Sequence, residues 1–380
     1  MIRVLLFMLL LILLPVLNGC QGREINSTTA TMGLGVDLAG DQVKMSIQLA
    51  KPMAPQNASE EPSFVVTSST GPTFGDAARK IYLKTPRYTL WSHSSVFLLG
   101  ENLARKDLSL IMDTLSRNVD IRKSSLIFVT QGYSPEQLLQ AQSPLEPTSS
   151  QGIKNLLELQ EKQLGIYVGI HVGEFINILS TSGIEPLVPQ VTLAKQGEKM
   201  VPILNGAAVF KGKKMVGSLN EDETRGYRFL QEGQKQGGLI IIPCPLDQNK
   251  KVTLEILRCQ TKSQAQVSGD NVRMQIKIDV EGNFYEQNST GELLTLENIK
   301  VMEQLANEEI RRQCNACITR AQSLNSDILG WGRKLENTHP KTFNRLISRW
   351  DEIFPQIEAD IKVNFSIRRT YLTDRSFEFR

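Results

Sequence analysis

Histidine is scarce in this chain: three occur in 380 residues, scattered at His93, His171 and His339. No HExxH or GxSxG occurs, and no serine has a lysine three residues on. Zinc hydrolysis, α/β-hydrolase chemistry and penicillin-binding chemistry therefore lose their usual starting points. Cysteine is equally sparse. Of five, the four beyond Cys20 cannot staple a chain of this length into a disulfide scaffold. Aromatics make up 6% and the net charge is +3, with no basic stripe interleaved with aromatics, so nucleic acid is not expected as a partner. Long apolar runs are missing after the first twenty residues, since Ile203–Phe210 and Gly238–Ile242 are only strand-sized.

The one long apolar run opens the chain. Met1-Ile2-Arg3 precedes thirteen apolar residues from Val4 to Val16, then Leu17-Asn18-Gly19-Cys20. As a helix, that run reaches roughly 20 Å, short of the ~30 Å hydrocarbon core. A basic start, a short apolar core and small residues before a cut mark a secretory signal over residues 1–19. The cysteine at the cut resembles a bacterial lipobox. Cys20 is expected to carry S-diacylglyceryl and N-acyl groups, anchoring the mature chain on the outer side of the cell membrane. Two or three acyl chains at ~0.8 kcal/mol per buried methylene suffice for stable attachment.

The body reads as α+β. Met32 to Leu49 alternates around a turn at Asp37–Asp41, a β-hairpin signal, and the proline-bearing stretch Lys51–Pro62 interrupts it. Strands are expected at Ser63–Ser68, Thr89–Leu99 and Ser124–Gln131. Helices are expected at Phe74–Leu83, at Leu103–Asn118, and after Ser134-Pro135, where Ser caps and Pro takes the first turn. This first module fades in the loop Gln142–Gln151. A middle segment holds helices at Asn155–Leu164 and Val172–Ser180 and strands at Leu187–Leu193, Val201–Phe210 and Lys214–Leu219. Leu219–Leu230 then reads as a charged helix, followed by strands at Leu239–Ile242 and Val252–Leu257. Beyond these, Val272 to Val280 alternates as a half-buried strand, Glu292–Ser323 is a long amphipathic helix, and Ile357 to Ile367 is a closing strand. Several mixed modules with antiparallel-rich sheets and helices on one face follow from this pattern.

Other motifs carry little chemistry. Gly33-Leu34-Gly35 lacks a third glycine and leads into a strand, so it serves close packing or backbone conformation rather than a nucleotide. Cys314-Asn315-Ala316-Cys317 lies inside the long helix with both sulfurs on its apolar side, which favours core thiols over redox or metal roles. Cys244 and Cys259 flank a hairpin, leaving a disulfide open. The carboxylates of Asn220-Glu221-Asp222-Glu223 open a helix and suit its dipole. No metal site, cofactor or catalytic residue is expected.

Several segments together resemble one family. Cys20-Gln21-Gly22-Arg23-Glu24-Ile25-Asn26 and Gly33-Leu34-Gly35-Val36-Asp37 are similar to the mature start of the Ger(x)C proteins. So are Trp91-Ser92-His93, Gly100 to Arg105, Arg117 with Ile121-Arg122, Ala208 to Lys211, Gly217-Ser218-Leu219 and Glu223 to Gly226. The most specific stretches are Ser326-Asp327-Ile328-Leu329-Gly330-Trp331-Gly332-Arg333, Trp350 to Pro355, and Val363 to Thr370. Ger(x)C proteins are the GerAC-like lipoprotein C subunits of nutrient germinant receptors in endospore-forming bacteria.

The resemblance implies an N-terminal germination-protein module over 20–150, a middle segment over 151–205 and a C-terminal GerAC-like domain over 206–380. It also implies a non-enzymatic subunit lipid-anchored in the spore's inner membrane beside the receptor's A and B subunits. Trp331 and Arg368-Arg369 are candidate partner-facing residues; the alternative is that Trp331 packs in the core and the arginines are solvated. The alternatives are a solute-binding lipoprotein of a transporter and an extracytoplasmic hydrolase.

Overall fold

A computed structural model describes residues 25–51, 63–289 and 291–370. Cys20, the signal segment and most of the proline-bearing stretch lie outside them. The chain opens with the expected hairpin: β1 (Thr28–Ala39) and β2 (Gln42–Ala50) pair antiparallel, and β3 (Phe64–Gly71) adds to β2. Helix α1 (Phe74–Lys80) is capped by the Thr73 side chain, which accepts the Asp76 N–H, and it runs into the 3-10 turn Ile81–Leu83.

Two expected elements are broken. Thr89–Leu99 is not one strand but β4 (Tyr88–Leu90), a 3-10 turn at Trp91–His93, and β5 (Val96–Leu99). The polar run Ser92 to Ser95 suits a turn, and the Ser94 and Ser125 hydroxyls bond to carbonyls there. Leu103–Asn118 is likewise two helices, α2 (Glu101–Lys106) and α3 (Ser109–Arg117). Asp107 adopts extended backbone between them, and its carboxylate accepts the Ser109 N–H at 2.8 Å, starting a new helix.

β6 (Leu126–Thr130), α4 (Pro135–Gln140), α5 (Ser149–Gln163) and α6 (Val172–Leu179) follow. The Ser134 cap forms a full capping box with Gln137. β7 (Leu187–Gln196), β8 (Lys199–Lys211) and β9 (Lys214–Leu219) complete a nine-stranded sheet in the order β3-β2-β1-β5-β6-β7-β8-β9, with β4 beside β1. Residues 151–205 thus contribute to the same sheet as the N-terminal strands.

Parallel β5 and β6 are buried on both faces. Phe97, Leu99, Ile127 and Val129 join a core with α1, α2, α3 and α6, while Val96, Leu98, Leu126 and Phe128 join another with α4 and α5.

α7 (Glu221–Leu230) leads to a second, five-stranded sheet: β10 (Gly233–Lys235), β11 (Leu239–Cys244), β12 (Asp247–Ser268), β13 (Asn271–Gln287) and β14 (Glu358–Thr370). Between β13 and β14 run α8 (Leu296–Ser323), α9 (Trp331–Thr338), α10 (Pro340–Leu346) and α11 (Trp350–Ile353). The α+β class and the long C-terminal helix match the expectation, and in this second sheet helices cover one face. β14 pairs parallel to β13, a direction that alternation alone cannot reveal. Gly330, in the left-handed conformation, is the cap from which Trp331 and Gly332 start α9. A third core joins Leu187, Ala207 and Val209 of the first sheet to α7, α8 and the second sheet, so the modules share apolar packing.

Gly33 and Gly35 show why the hairpin needs glycine. A Cβ on Gly35 would lie 2.4 Å from Cβ of Pro135, and one on Gly33 would lie 1.9 Å from Oγ of Ser150. Their role is to let α4 and α5 sit directly on β1. Gly35→Ala should destabilise the fold by about 1–3 kcal/mol through overpacking. Gly75→Ala, in α1 with open space around it, should stabilise by about 0.5–1 kcal/mol. Urea unfolding midpoints check both.

Candidate functional site

Two of the three most specific family-like stretches, Ser326 to Arg333 and Trp350 to Pro355, meet at the seam between the two sheets, while Val363 to Thr370 lies in β14. α8 ends in a Schellman turn: Asn325 takes the left-handed conformation at φ 48°, with Ser326 N–H bonding to Ala321 O and Asn325 N–H to Gln322 O. That turn delivers Asp327 into the protein interior. Its Oδ1 accepts the Trp331 N–H at 3.0 Å; its Oδ2 accepts the Gly332 N–H at 2.8 Å and the Trp350 indole N–H at 3.0 Å. Its carbonyl accepts the Glu185 N–H at 2.9 Å, and Ser326 Oγ donates to the Phe210 carbonyl, both across to the first sheet's chain.

Glycine again permits the approach. Gly183, at φ 74°, faces Gly332 so closely that a Cβ on it would lie 2.7 Å from the Gly332 carbonyl carbon. Trp331 is 3% exposed and its ring lies 5.8 Å from that of Phe354. Of the two readings of Trp331, the partner-facing one is corrected and the packed one holds: this side chain is buried in the seam. Arg368 is exposed and forms a ladder with Glu281 and Arg258, at 2.8 and 3.0 Å, across β14, β13 and β12. Arg369 is exposed beside it.

A cation pins the seam elsewhere. Arg228 of α7, buried to 3% exposure, donates to the carbonyls of Gln236 (2.6 Å), Glu161 (3.3 Å) and Gly237 (3.4 Å). The Glu161 carbonyl belongs to the last turns of α5, so the guanidinium also meets that helix's negative end.

Burial dominates the seam's acid–base behaviour. It pushes the Asp327 carboxyl up to about 6, against the pull of its N–H donors. Burial likewise raises Glu185 to about 7; the Gly212 N–H, at 2.8 Å, lowers it and the Asp327 charge raises it. Lys211, paired with Asp351 at 3.1 Å, sits nearby.

The remaining candidates do not come together. His93 and His171 are exposed, and His339 hydrogen-bonds to Thr338 at 3.0 Å beside a polar cleft of about 820 Å³. All four described cysteines are free and buried. Cys244 lies beside Ser289 and Cys259 beside Thr261, so the disulfide left open for them does not form. Burial raises the Cys314 and Cys317 thiols far above their ordinary value, keeping them protonated packing groups of α8. Among the described residues, no group of three or more His, Cys, Asp or Glu side chains is placed to hold a metal.

One surface feature escaped the sequence reading. A cavity of about 310 Å³ is lined by Arg79, Tyr82, Tyr88 and Trp91, with Asn118 and Asp120 on its other side. The signal was local: Arg79, Lys80, Lys84 and Arg87 interleave with three aromatics, and no carboxylate occurs from Ala77 to Gly100. A chain-wide charge count averages this away.

Two family models match the chain in order. The Spore germination protein N-terminal domain matches residues 21–193, and the Spore germination B3/GerAC like, C-terminal model matches residues 205–371. Spore germination protein KC of Bacillus subtilis is 22% identical over 97% of this chain and 96% of its own length. Spore germination protein B3 of the same organism is 24% identical over 95% and 96%. Spore germination protein GerQC of Bacillus cereus is 26% identical over 71% and 74%. The crystal structure of the GerBC protein has the same fold, with a TM-score of 0.59 at 19% identity over 88% of this chain and 96% of that one.

Two outcomes test the seam. Asp327→Ala leaves three buried N–H groups unpaired and should cost about 3 kcal/mol or more in thermal or urea unfolding. Folded-state values raised above the ordinary carboxylate range mean the folded chain holds these protons longer than the unfolded one. Their contribution to stability is therefore greatest below about pH 4 and declines as pH rises through about 6 to 7. Glu185→Gln should flatten that decline and raise stability at pH 8 by about 1–2 kcal/mol, read from unfolding midpoints across pH.

Proposed function

The chain belongs to the GerAC-like family of spore germination proteins, and on that premise we propose that it is the non-catalytic C subunit of a nutrient germinant receptor. The observation that carries this reading is coverage: the two models run in order from residue 21 to residue 371, and KC and B3 are matched over nearly their whole lengths.

The geometry supports action by contact rather than by turnover. The most deeply buried carboxylate is engaged by N–H donors in the seam, and the helix thiols are protonated in the core. In this reading Cys20 carries S-diacylglyceryl and N-acyl groups, and the body stands on the extracytoplasmic face of the cell membrane, in spores the inner membrane. There it assembles with the A and B membrane subunits. The seam packs the two modules against one another through a shared core, which suits a part whose task is to hold others in place.

The test is direct. The amino-terminal peptide from spore membranes should begin at Cys20 and carry both lipid modifications by mass spectrometry. Cys20→Ala should abolish them and lower nutrient-triggered germination to the level of spores lacking the chain. An unmodified amino terminus would overturn the anchor. Unchanged germination across a nutrient panel in spores without the chain would overturn the receptor role.

A further inference from the structure

The cavity around Trp91 lies where the chain leaves its expected anchor. Thr28, at the start of β1, pairs in parallel with Tyr88 of β4. Eight residue steps separate Cys20 from Thr28, at most about 28 Å even fully extended. Whatever Cys20 is fastened to, the Tyr88 surface is held close to it.

That surface is unusual in composition. Leu83, in the turn after α1, is 83% exposed, and Val119, between the cavity residues Asn118 and Asp120, is 91% exposed. Tyr82 and Tyr88 stack at 6.1 Å, the Trp91 indole N–H points to the Tyr82 hydroxyl at 3.4 Å, and that hydroxyl bonds Thr89 Oγ1 at 2.8 Å. These contacts fix the rings in place while leaving Tyr82 and Tyr88 more than one-third exposed. Arg79 lines the cavity, Lys80, Lys84 and Arg87 lie close by in the chain, and Lys84 Nζ donates to the Ser68 carbonyl at 2.8 Å. Asp76 pairs with Lys80 at 2.7 Å, and Asp120 lies at the cavity wall, so the balance of charge is positive.

We propose that the surface formed by Arg79 to Trp91 with Val119 is a second, non-covalent membrane contact, seated in the headgroup layer of an anionic bilayer. Tyrosine and tryptophan favour that layer because one end of each ring is apolar and the other polar. Leu83 and Val119 supply the apolar tips, and the flanking cations meet anionic lipid phosphates. The proposal rests on the Cys20 anchor and deepens it, since a lipid tether alone leaves the body free to swivel. With this surface docked, one orientation of the two modules relative to the bilayer is selected.

The chain's tryptophans make the test clean. Trp331 and Trp350 are buried, at 3% and 7% exposure, so lipid-borne quenchers reach Trp91. The full acylated chain would be reconstituted on phosphatidylglycerol–phosphatidylcholine vesicles carrying brominated acyl chains, with sedimentation and tryptophan emission measured together. We expect co-sedimentation, together with a blue shift and quenching of the emission that both vanish in Trp91→Phe while the chain still sediments, and loss of quenching with retained sedimentation in Leu83→Glu. Raised salt or purely phosphatidylcholine vesicles should reduce the quenching.

A chain that sediments with Trp91 unquenched would overturn this proposal and leave the anchor standing. A chain that proves unacylated yet binds anionic vesicles, and loses that binding in Leu83→Glu, would support the surface and sink the anchor. No vesicle binding in either form would overturn both. Unquenched Trp91 together with loss of a co-purifying membrane subunit in Leu83→Glu would assign the surface to a protein and overturn the lipid reading.

Discussion

One residue, Asp327, sits where the two halves of this molecule meet: its carboxylate gathers α9 and α11, and its main-chain carbonyl reaches the first half. It is buried among backbone and indole N–H groups from α9 and α11, and its own carbonyl accepts a bond from the loop leading into β7. An unpaired charge at this depth would be strongly disfavoured; three donors offset the desolvation and specify which segments must meet. The apolar parts of the seam, Trp331 against Phe354 and the Gly183–Gly332 contact, can then close at van der Waals distance. Arg228 does the corresponding work on the far side with a positive charge and carbonyl partners. The seam is thus polar at two points and apolar between them, which gives it both a fixed geometry and favourable burial.

The same device recurs within the first sheet. Gln48, wholly buried on β2, donates to the Leu139 carbonyl at 2.7 Å and accepts the Ser150 N–H at 3.3 Å, tying the ends of α4 and α5 to the hairpin. Gly33 and Gly35 clear the space those helices occupy. Polar pins set position; glycines allow approach; aliphatic side chains fill what remains.

Much of this was legible in the sequence because its periodicity is local. The β1–β2 hairpin, the Ser134 cap and the alternation of β13 and β14 follow from neighbours within a few residues. The break at Asp107 was hidden because Leu108, Ile111, Met112 and Leu115 keep helical spacing across the interruption, and only the carboxylate's bond to Ser109 reveals a new start. Parallel pairing of β14 was hidden because alternation is blind to strand direction. Trp331 between glycines was a candidate partner-facing residue, yet Phe354, whose ring packs beside it, lies twenty-three residues on. Asp327 reads in isolation as a surface acid; its donors lie four, five and twenty-three residues on.

The parallel docking of β14 also bears on the order of assembly. A parallel neighbour cannot be reached by a tight turn, and the whole helical layer from α8 to α11 lies between β13 and β14. Pairing β14 with β13 therefore closes a long loop, a long-range contact of the kind that slows folding, and a chain cut short before Glu358 leaves β13 with an unprotected edge.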